Sequence, residues 1–444
     1  MENIKNAIKT LNPWWAKKKI LEENIIERSI LKDIIKTLKA KQIKDILGVR
    51  RSGKTTILYL LIDHLIKKEK ANPKKIVFLS FDEINIGTAD FEDIEKAIYQ
   101  INPDPEYLFI DEIQEKKNWE KWVKQLYDQN KFKQIIVSGS NASILSKDIG
   151  KLLSGRHITI KVHPFSFKEY LKANGWKNFR KEFIELEKNK VQHYLMQYLK
   201  KGGFPETIKK DDELISRILI NTYNDIISRD IASRHNVDPD KIDLLTKYLF
   251  TNITKEYSYN SLAKAIGINI ETIEKYLNYL KESFMVLNLD IFSFKLKTQY
   301  KQNKKIYAID LGLRNSIAFR FSEDIGKLYE NAVFLKLKRE GKEIYYWKNK
   351  SEVDFVVKEG IAVKELIQVS KNIKNKKTKE REIKGLIEAA KEFKQKEAKI
   401  ITEDTEKEEL IQNIKIKYIP LWKWLLVNEQ KEKDYKYLKQ REIK

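Results

Sequence analysis

The run Gly48-Val49-Arg50-Arg51-Ser52-Gly53-Lys54-Thr55-Thr56 has the spacing G-x-x-x-x-G-K-[ST]. Glycines at Gly48 and Gly53 let the backbone turn so that successive N–H groups face phosphate oxygens. Lys54 would reach the β- and γ-phosphates, and the Thr55 hydroxyl would ligate Mg2+. A helix starting there adds its positive end to the anion site. The alternative, a Gly-rich turn capping an ordinary helix, lacks a reason for the surrounding pattern: a buried strand at 42–47 and an apolar helical face over 55–68. A second run, Tyr107-Leu108-Phe109-Ile110-Asp111-Glu112, is an apolar strand ending in two acids. Asp111 would hold Mg2+ through its water shell, and Glu112 would orient and polarise the attacking water. The expected cofactors are therefore ATP and Mg2+, and the paired acids imply hydrolysis as well as binding.

Two further positions could touch the γ-phosphate. The run Val137-Ser138-Gly139-Ser140-Asn141 ends a strand that would lie between the two motifs, making Asn141 or Ser140 a candidate sensor, with simple helix capping as the alternative. Arg156, in Leu153-Ser154-Gly155-Arg156, would stabilise charge on the transferred phosphoryl, in cis or across the boundary of a homo-oligomer. Such a residue is worth ~10³–10⁵ in rate; a structural ion pair is the competing reading. Arginine is scarce elsewhere, yet Arg50, Arg51, Arg229 and Arg234 share this half of the chain. Their planar forks suit phosphate, although Asp225 and Asp230 offer surface pairing.

Positioning these residues requires a sheet. Strand-like runs at 76–81, 107–110, 134–137 and 157–162, separated by amphipathic stretches such as 119–127, predict an α/β core with a parallel sheet covered on both faces. Helical periodicity dominates 165–237, broken by Gly202-Gly203-Phe204-Pro205, and fits a lid. Residues 259–277 read as helix, Gly-containing turn, helix, with 284–294 as a wing. The second helix opens with Glu271 and Glu274, which phosphate repels.

The order of motifs resembles the archaeal ATPase family of AAA+-like proteins. The resemblance rests on Asn12-Pro13-Trp14-Trp15, the 48–56 loop, Phe109-Ile110-Asp111-Glu112-Ile113-Gln114 and Leu153-Ser154-Gly155-Arg156. It extends to His163-Pro164-Phe165-Ser166-Phe167-Lys168-Glu169-Tyr170 and Gly202-Gly203-Phe204-Pro205-Glu206, covering nearly the whole chain. It implies a P-loop ASCE core with an N-terminal extension at 1–164, a helical lid at 165–237 and a winged helix at 238–297. A restriction-endonuclease-like domain with a basic tail would occupy 298–444. In that last domain Glu330, Asp354 and Gln368 look like the acid, Asp and (Asp/Glu)-x-Lys set of metal-dependent phosphodiesterases, a second metal site. Gln368 stands where an acid is the better ligand and Ser370 where lysine is expected, so a degenerate domain that binds nucleic acid or a protein is the favoured reading. Lys364 or Lys371 could substitute in space.

Composition bounds the partners. The chain has 444 residues, no cysteine, five histidines and a net charge of +23. Disulfides, thiolate zinc sites and cysteine nucleophiles are excluded. No apolar run nears the ~18 residues of a membrane span, so a soluble, cytoplasmic protein without a membrane partner is expected. The basic balance points to nucleic acid, and Lys371, Lys374, Lys376, Lys377, Lys379 and Arg381 could follow a phosphate backbone. Part of the lysine excess is compositional, since isoleucine and asparagine are abundant too. The expected function is an Mg-dependent ATPase coupling nucleotide state to nucleic acid or a partner. A STAND-like regulatory switch acting on a protein and an ATP-regulated DNA nuclease are the alternatives.

Overall fold

A computed structural model describes residues 1–21, 25–142, 153–295, 299, 302–319 and 324–426. The basic tail beyond 426 and the helix expected after Asn141 lie outside the described residues. Among the described residues, no helix is long and apolar enough to cross a membrane.

The chain forms two compact units. The first comprises Met1–Phe165, Phe204–Thr246 and Ile268–Val286; the second comprises Ser166–Gly203, Lys247–Gly267 and Leu287–Lys444. Residues 165–237 are shared between the two units. Ser166–Gly203 joins the second unit because Asp310 Oδ2 accepts from Gly203 N at 2.7 Å. Asn315 Nδ2 also donates to the carbonyls of Leu199 and Lys200, both at 2.9 Å.

In the first unit, β1 (Ile43–Leu47), β2 (Ile76–Ser80), β3 (Tyr107–Asp111), β4 (Gln134–Gly139) and β5 (His157–Lys161) form a parallel sheet of order β2-β3-β4-β1-β5. All five lie within two residues of the expected runs. Alternation along the strands puts Ile46, Phe78, Phe109 and Ile136 on one face, where they pack with Ile57, Leu58, Leu61 and Leu65 of the helix Lys54–Lys67. Burying each such side chain contributes roughly 1.5–3 kcal/mol.

The outer edge of β2 is covered by side chains rather than another strand. Asn12 Oδ1 accepts from Phe78 N at 2.7 Å and its Nδ2 donates to Phe78 O at 2.8 Å. The indoles of Trp14 and Trp15 both donate to Ile76 O. The Asn-Pro-Trp-Trp run therefore satisfies backbone groups that an exposed edge would offer to another chain.

The second unit holds a six-stranded sheet of order β13-β14-β12-β11-β10-β9 and a three-stranded sheet of order β6-β8-β7. The strands are β6 (Glu256–Tyr257), β7 (Val286–Leu289), β8 (Lys304–Ala308), β9 (Glu343–Lys348), β10 (Glu352–Glu359), β11 (Ala362–Val369), β12 (Glu397–Thr402), β13 (Lys407–Ile411) and β14 (Ile414–Pro420). Strands β9, β10 and β11 are antiparallel, whereas β11 pairs parallel with β12 after the helix Lys376–Glu392. Helix Tyr259–Ile266 belongs to the second unit and helix Ile270–Glu282 to the first, with Gly267 between them in the chain.

Candidate functional site

The site lies where the strands of the first unit end. In a parallel sheet every C-terminal strand end faces the same edge, so the register brings four segments together. Leu47 aligns with Gly139, Ile110 with Val137, and Ser80 with Asp111. The strand carrying Asp111 is thereby separated from the strand feeding the glycine loop by β4, whose tip holds Ser138, Ser140 and Asn141.

Backbone geometry explains the glycines. A Cβ on Gly48 would lie 2.1 Å from Val162 O, and Gly53 has φ +91°. Two non-glycine residues at the same edge also adopt left-handed backbone, Arg51 (φ 63°) and Glu112 (φ 48°). That conformation costs roughly 1–2 kcal/mol per residue, and clusters where function constrains the chain. Val49 is fully buried, and its carbonyl accepts from Ser52 N and from Lys54 Nζ at 3.3 Å. Ser52 is buried as well; Thr55 and Thr56 open the helix Lys54–Lys67.

The chemistry-bearing side chains converge. Thr55 Oγ1 donates to Asp111 Oδ2 at 2.6 Å, and Ser138 Oγ donates to Asp111 Oδ1. Burial and the adjacent Glu112 push the Asp111 carboxyl up, opposed by those two hydroxyls and by Lys54. Lys54 Nζ lies 4.0 Å from Glu112 Oε1. Carboxylate and hydroxyl oxygens side by side are the donors a hard cation such as Mg2+ takes, usually with several waters retained. The cradle of backbone N–H groups and Lys54 suits a polyphosphate. The residues present thus fit Mg2+ and ATP.

Two contributions escaped the sequence reading. Gln114 Nε2 donates to the Glu112 carboxylate and, at 3.2 Å, to Ser140 Oγ, while its Oε1 accepts from Ser140 N at 3.3 Å. Ser140 therefore positions Glu112 through Gln114. Asn141 is buried at the same strand tip. Arg28 is the second: its guanidinium donates to Ser52 O at 3.0 Å and His163 O at 2.6 Å, and lies over the Phe165 ring. It braces the loop from behind, and no spacing rule marks it.

Arg156 is not brought to this edge. Its carbonyl accepts from Ile43 N at the start of β1, the opposite end of the sheet, and its Nε pairs with Asp128 at 2.9 Å. Because β5 runs parallel to β1, Arg156 stands at the end of the sheet opposite the phosphate loop, where it makes an ion pair. Arg50 and Arg51 are ion-paired within the first unit: Arg50 with Asp230, and Arg51 with Glu206 and Asp225. Arg234 lies 3.9 Å from Glu115.

In the second unit, the expected second metal site differs. Glu330 and Asp354 do converge, joined by Glu352, but on the ammonium of Lys305, at 3.3, 3.4 and 2.6 Å. Tyr307 donates to Glu330 at 2.7 Å. Gln368 has both ends engaged: Oε1 accepts from Asp354 N at 3.1 Å and Nε2 donates to Glu382 at 2.7 Å. Among the described residues, no group of three or more His, Asp or Glu is arranged to hold a metal ion. The cation at these acids is a lysine from β8, a strand outside the motif. Burial and Glu330 push the Asp354 carboxyl well up. For Lys305 the three carboxylates outweigh burial and keep it charged.

Strand order and loop geometry define a P-loop nucleotide-binding core of the AAA type, and an AAA domain model matches residues 40–171. Two models of domains of unknown function match residues 192–324 and 325–424. The chain is 35% identical over 439 residues to the uncharacterized protein MJ1544 of Methanocaldococcus jannaschii, covering 92% of this chain and 96% of that protein. It is 30% identical over 345 residues to an uncharacterized protein of Haemophilus influenzae, covering 75% and 84% respectively. The chain belongs to the family of these proteins. Among solved structures, the Aeropyrum pernix ORC1 protein in complex with DNA aligns at a TM-score of 0.30 and 9% identity, over 69% of this chain and 96% of that one. That likeness is too slight to carry an argument.

Proposed function

We propose that the chain binds ATP with Mg2+ at residues 48–56 and hydrolyses it, coupling nucleotide state to nucleic acid or a protein partner. The convergence of Lys54, Thr55, Asp111 and Glu112 at one sheet edge carries the reading. Bound Mg2+ would supply charge neutralisation at the phosphates. The loop N–H groups and Lys54 hold the phosphates, Thr55 and Asp111 hold the cation, and Glu112 Oε1 orients a water and takes its proton. Gln114 and Ser140 fix the Glu112 carboxylate, and Asn141 is the sensor candidate beside them. Arg156 retains a role only across a subunit boundary of a homo-oligomer.

The test is steady-state phosphate release with Mg2+. Glu112→Gln should keep ATP binding and lose turnover by ~10²–10⁴-fold, while Lys54→Ala should lose binding. Normal turnover in the glutamine variant would refute the assignment.

The coupling elements are proposals too. Helix Ile325–Arg339, strands β9 to β11, helix Lys376–Glu392 and β12 follow the order of a restriction-endonuclease-like core, which supports that reading of the C-terminal region. A winged helix at 238–297 rests on the two helices flanking Gly267. A nuclease is the weaker reading, because Glu330 and Asp354 would first have to release Lys305, and Gln368 its two partners. The regulatory switch is favoured by the ion pairs that occupy Arg50 and Arg51.

A further inference from the structure

Both arginines of the phosphate loop are paired with carboxylates. Arg50 makes a two-pronged pair with Asp230, Nε to Oδ2 at 3.2 Å and Nη2 to Oδ1 at 3.3 Å. Arg51 spans two acids, Nη1 to Glu206 at 2.9 Å and Nη2 to Asp225 at 3.3 Å. All three acids lie in the stretch Phe204–Thr246, and Pro205 sits 3.7 Å from where a Gly53 Cβ would be. The backbone there is unusual. Helix Asp212–Asp225 continues as a π-helix over Ile226–Ser233. In an α-helix, residues five apart are separated by about 1.4 turns and diverge. The i→i+5 bonded form turns more slowly and brings Asp225 and Asp230 toward one side, where Arg51 and Arg50 meet them. π-helical segments are rare, mostly shorter than this one, and frequent at functional sites.

We propose that Glu206, Asp225 and Asp230 form a latch that competes with the phosphates of a nucleoside triphosphate for Arg50 and Arg51. The proposal rests on residues 48–56 being the ATP site and adds how that site is regulated. Guanidinium forks donate to carboxylate and to phosphate in the same geometry, so both cannot be satisfied at once. Captured by phosphate, Arg50 leaves Asp230, a side chain only 3% exposed. A buried carboxylate without its cation is strongly unfavourable, so the π-helical turn must move until Asp230 is hydrated. Nucleotide binding thereby releases the Phe204–Thr246 stretch, and without nucleotide the latch lowers affinity.

The full-length chain titrated with fluorescent N-methylanthraniloyl-ATP and Mg2+ tests this. Asp230→Asn, and separately the double variant Glu206→Gln/Asp225→Asn, should bind roughly fivefold tighter or more. The double variant alters half-exposed groups, so it reads the latch independently of packing around Asp230. Hydrogen exchange over residues 204–234 should rise when ATP is added to the unaltered protein. Equal or weaker binding by the double variant, or slower exchange with ATP, would overturn the latch. An unaltered protein that binds no better than Lys54→Ala would instead remove the ATP site itself.

Discussion

Lys305 carries a charge into a space that three carboxylates would otherwise make untenable. Its side chain is 4% exposed, against 14% for Glu330 and 8% for Asp354. Removing one partner from such a group typically costs 3–5 kcal/mol, because the remaining charges stay buried and uncompensated. Lys305→Met should therefore lose about 3–5 kcal/mol of unfolding free energy at pH 8. The sign of the pH dependence follows from the acids. Burial already holds the Asp354 carboxyl well above its unfolded value, and losing the ammonium pushes it further up, so the deficit is largest when Asp354 is ionised and shrinks as falling pH protonates it. Urea unfolding of the variant and the unaltered chain at pH 8 and pH 5 measures both. A deficit that is absent, or that grows toward acid, would show that Lys305 is not the compensating cation.

At the scale of elements, β1 has two ends with different tasks. Its C-terminal end feeds the phosphate loop; its start carries Lys44 and Asp45, both buried, on opposite faces. Asp45 Oδ2 lies 2.5 Å from His157 Nδ1 and 3.3 Å from Thr159 Oγ1, while its Oδ1 has no hydrogen-bond partner among the described residues. The carboxylate raises the His157 pKa above its usual 6.5. A raised folded pKa contributes stability that is complete below about 6.5 and lost as pH climbs through the folded value. The unaltered chain should lose a few degrees of melting temperature between pH 6 and pH 9 relative to Asp45→Asn. Lys44, pushed down to about 8 by burial, acts with the opposite sign above that pH, so the difference between the two proteins is what thermal unfolding must follow. Parallel slopes would eliminate the pair as a pH-sensitive element. The ends of β1 also mark what the sequence could reveal. Loop and acid tip were legible because phosphate chemistry fixes residue types at fixed spacings, and the strands because apolar runs between breakers leave few other choices. Arg28 and Lys305 were illegible, since each acts across a large sequence separation and obeys no period, and Gln114, though inside a quoted motif, shows its role only once β4 brings Ser140 beside it. For Arg156 the sequence left a phosphoryl contact and an ion pair both open, because a motif places a residue along the chain whereas the direction of β5 decides which edge it reaches.

For the whole molecule, the chain passes between the two units at 165/166, 203/204, 246/247, 267/268 and 286/287. The choice of partner is open to a charge argument. A net charge of +23 favours a polyanion, yet the basic run after β11 is partly spent: Lys371 pairs with Glu403, Lys379 with Glu409 and Arg381 with Glu382. Lys374, Lys376 and Lys377 remain exposed along it. If three lysines meet phosphates, the logarithm of the duplex-binding constant should fall against the logarithm of salt with a slope of about −2.7, at ~0.9 per phosphate. Replacing all three with alanine should flatten that slope and abolish any stimulation of ATP turnover by DNA, while basal turnover stays unchanged. Fluorescence anisotropy with a labelled duplex across a salt series, paired with phosphate release with and without that duplex, supplies both readings. Binding with an unchanged slope in the triple variant would move the contact to another surface. Turnover indifferent to DNA at every salt concentration would leave the C-terminal region with a protein partner, and the latch at Arg50 and Arg51 would then set when that partner is engaged.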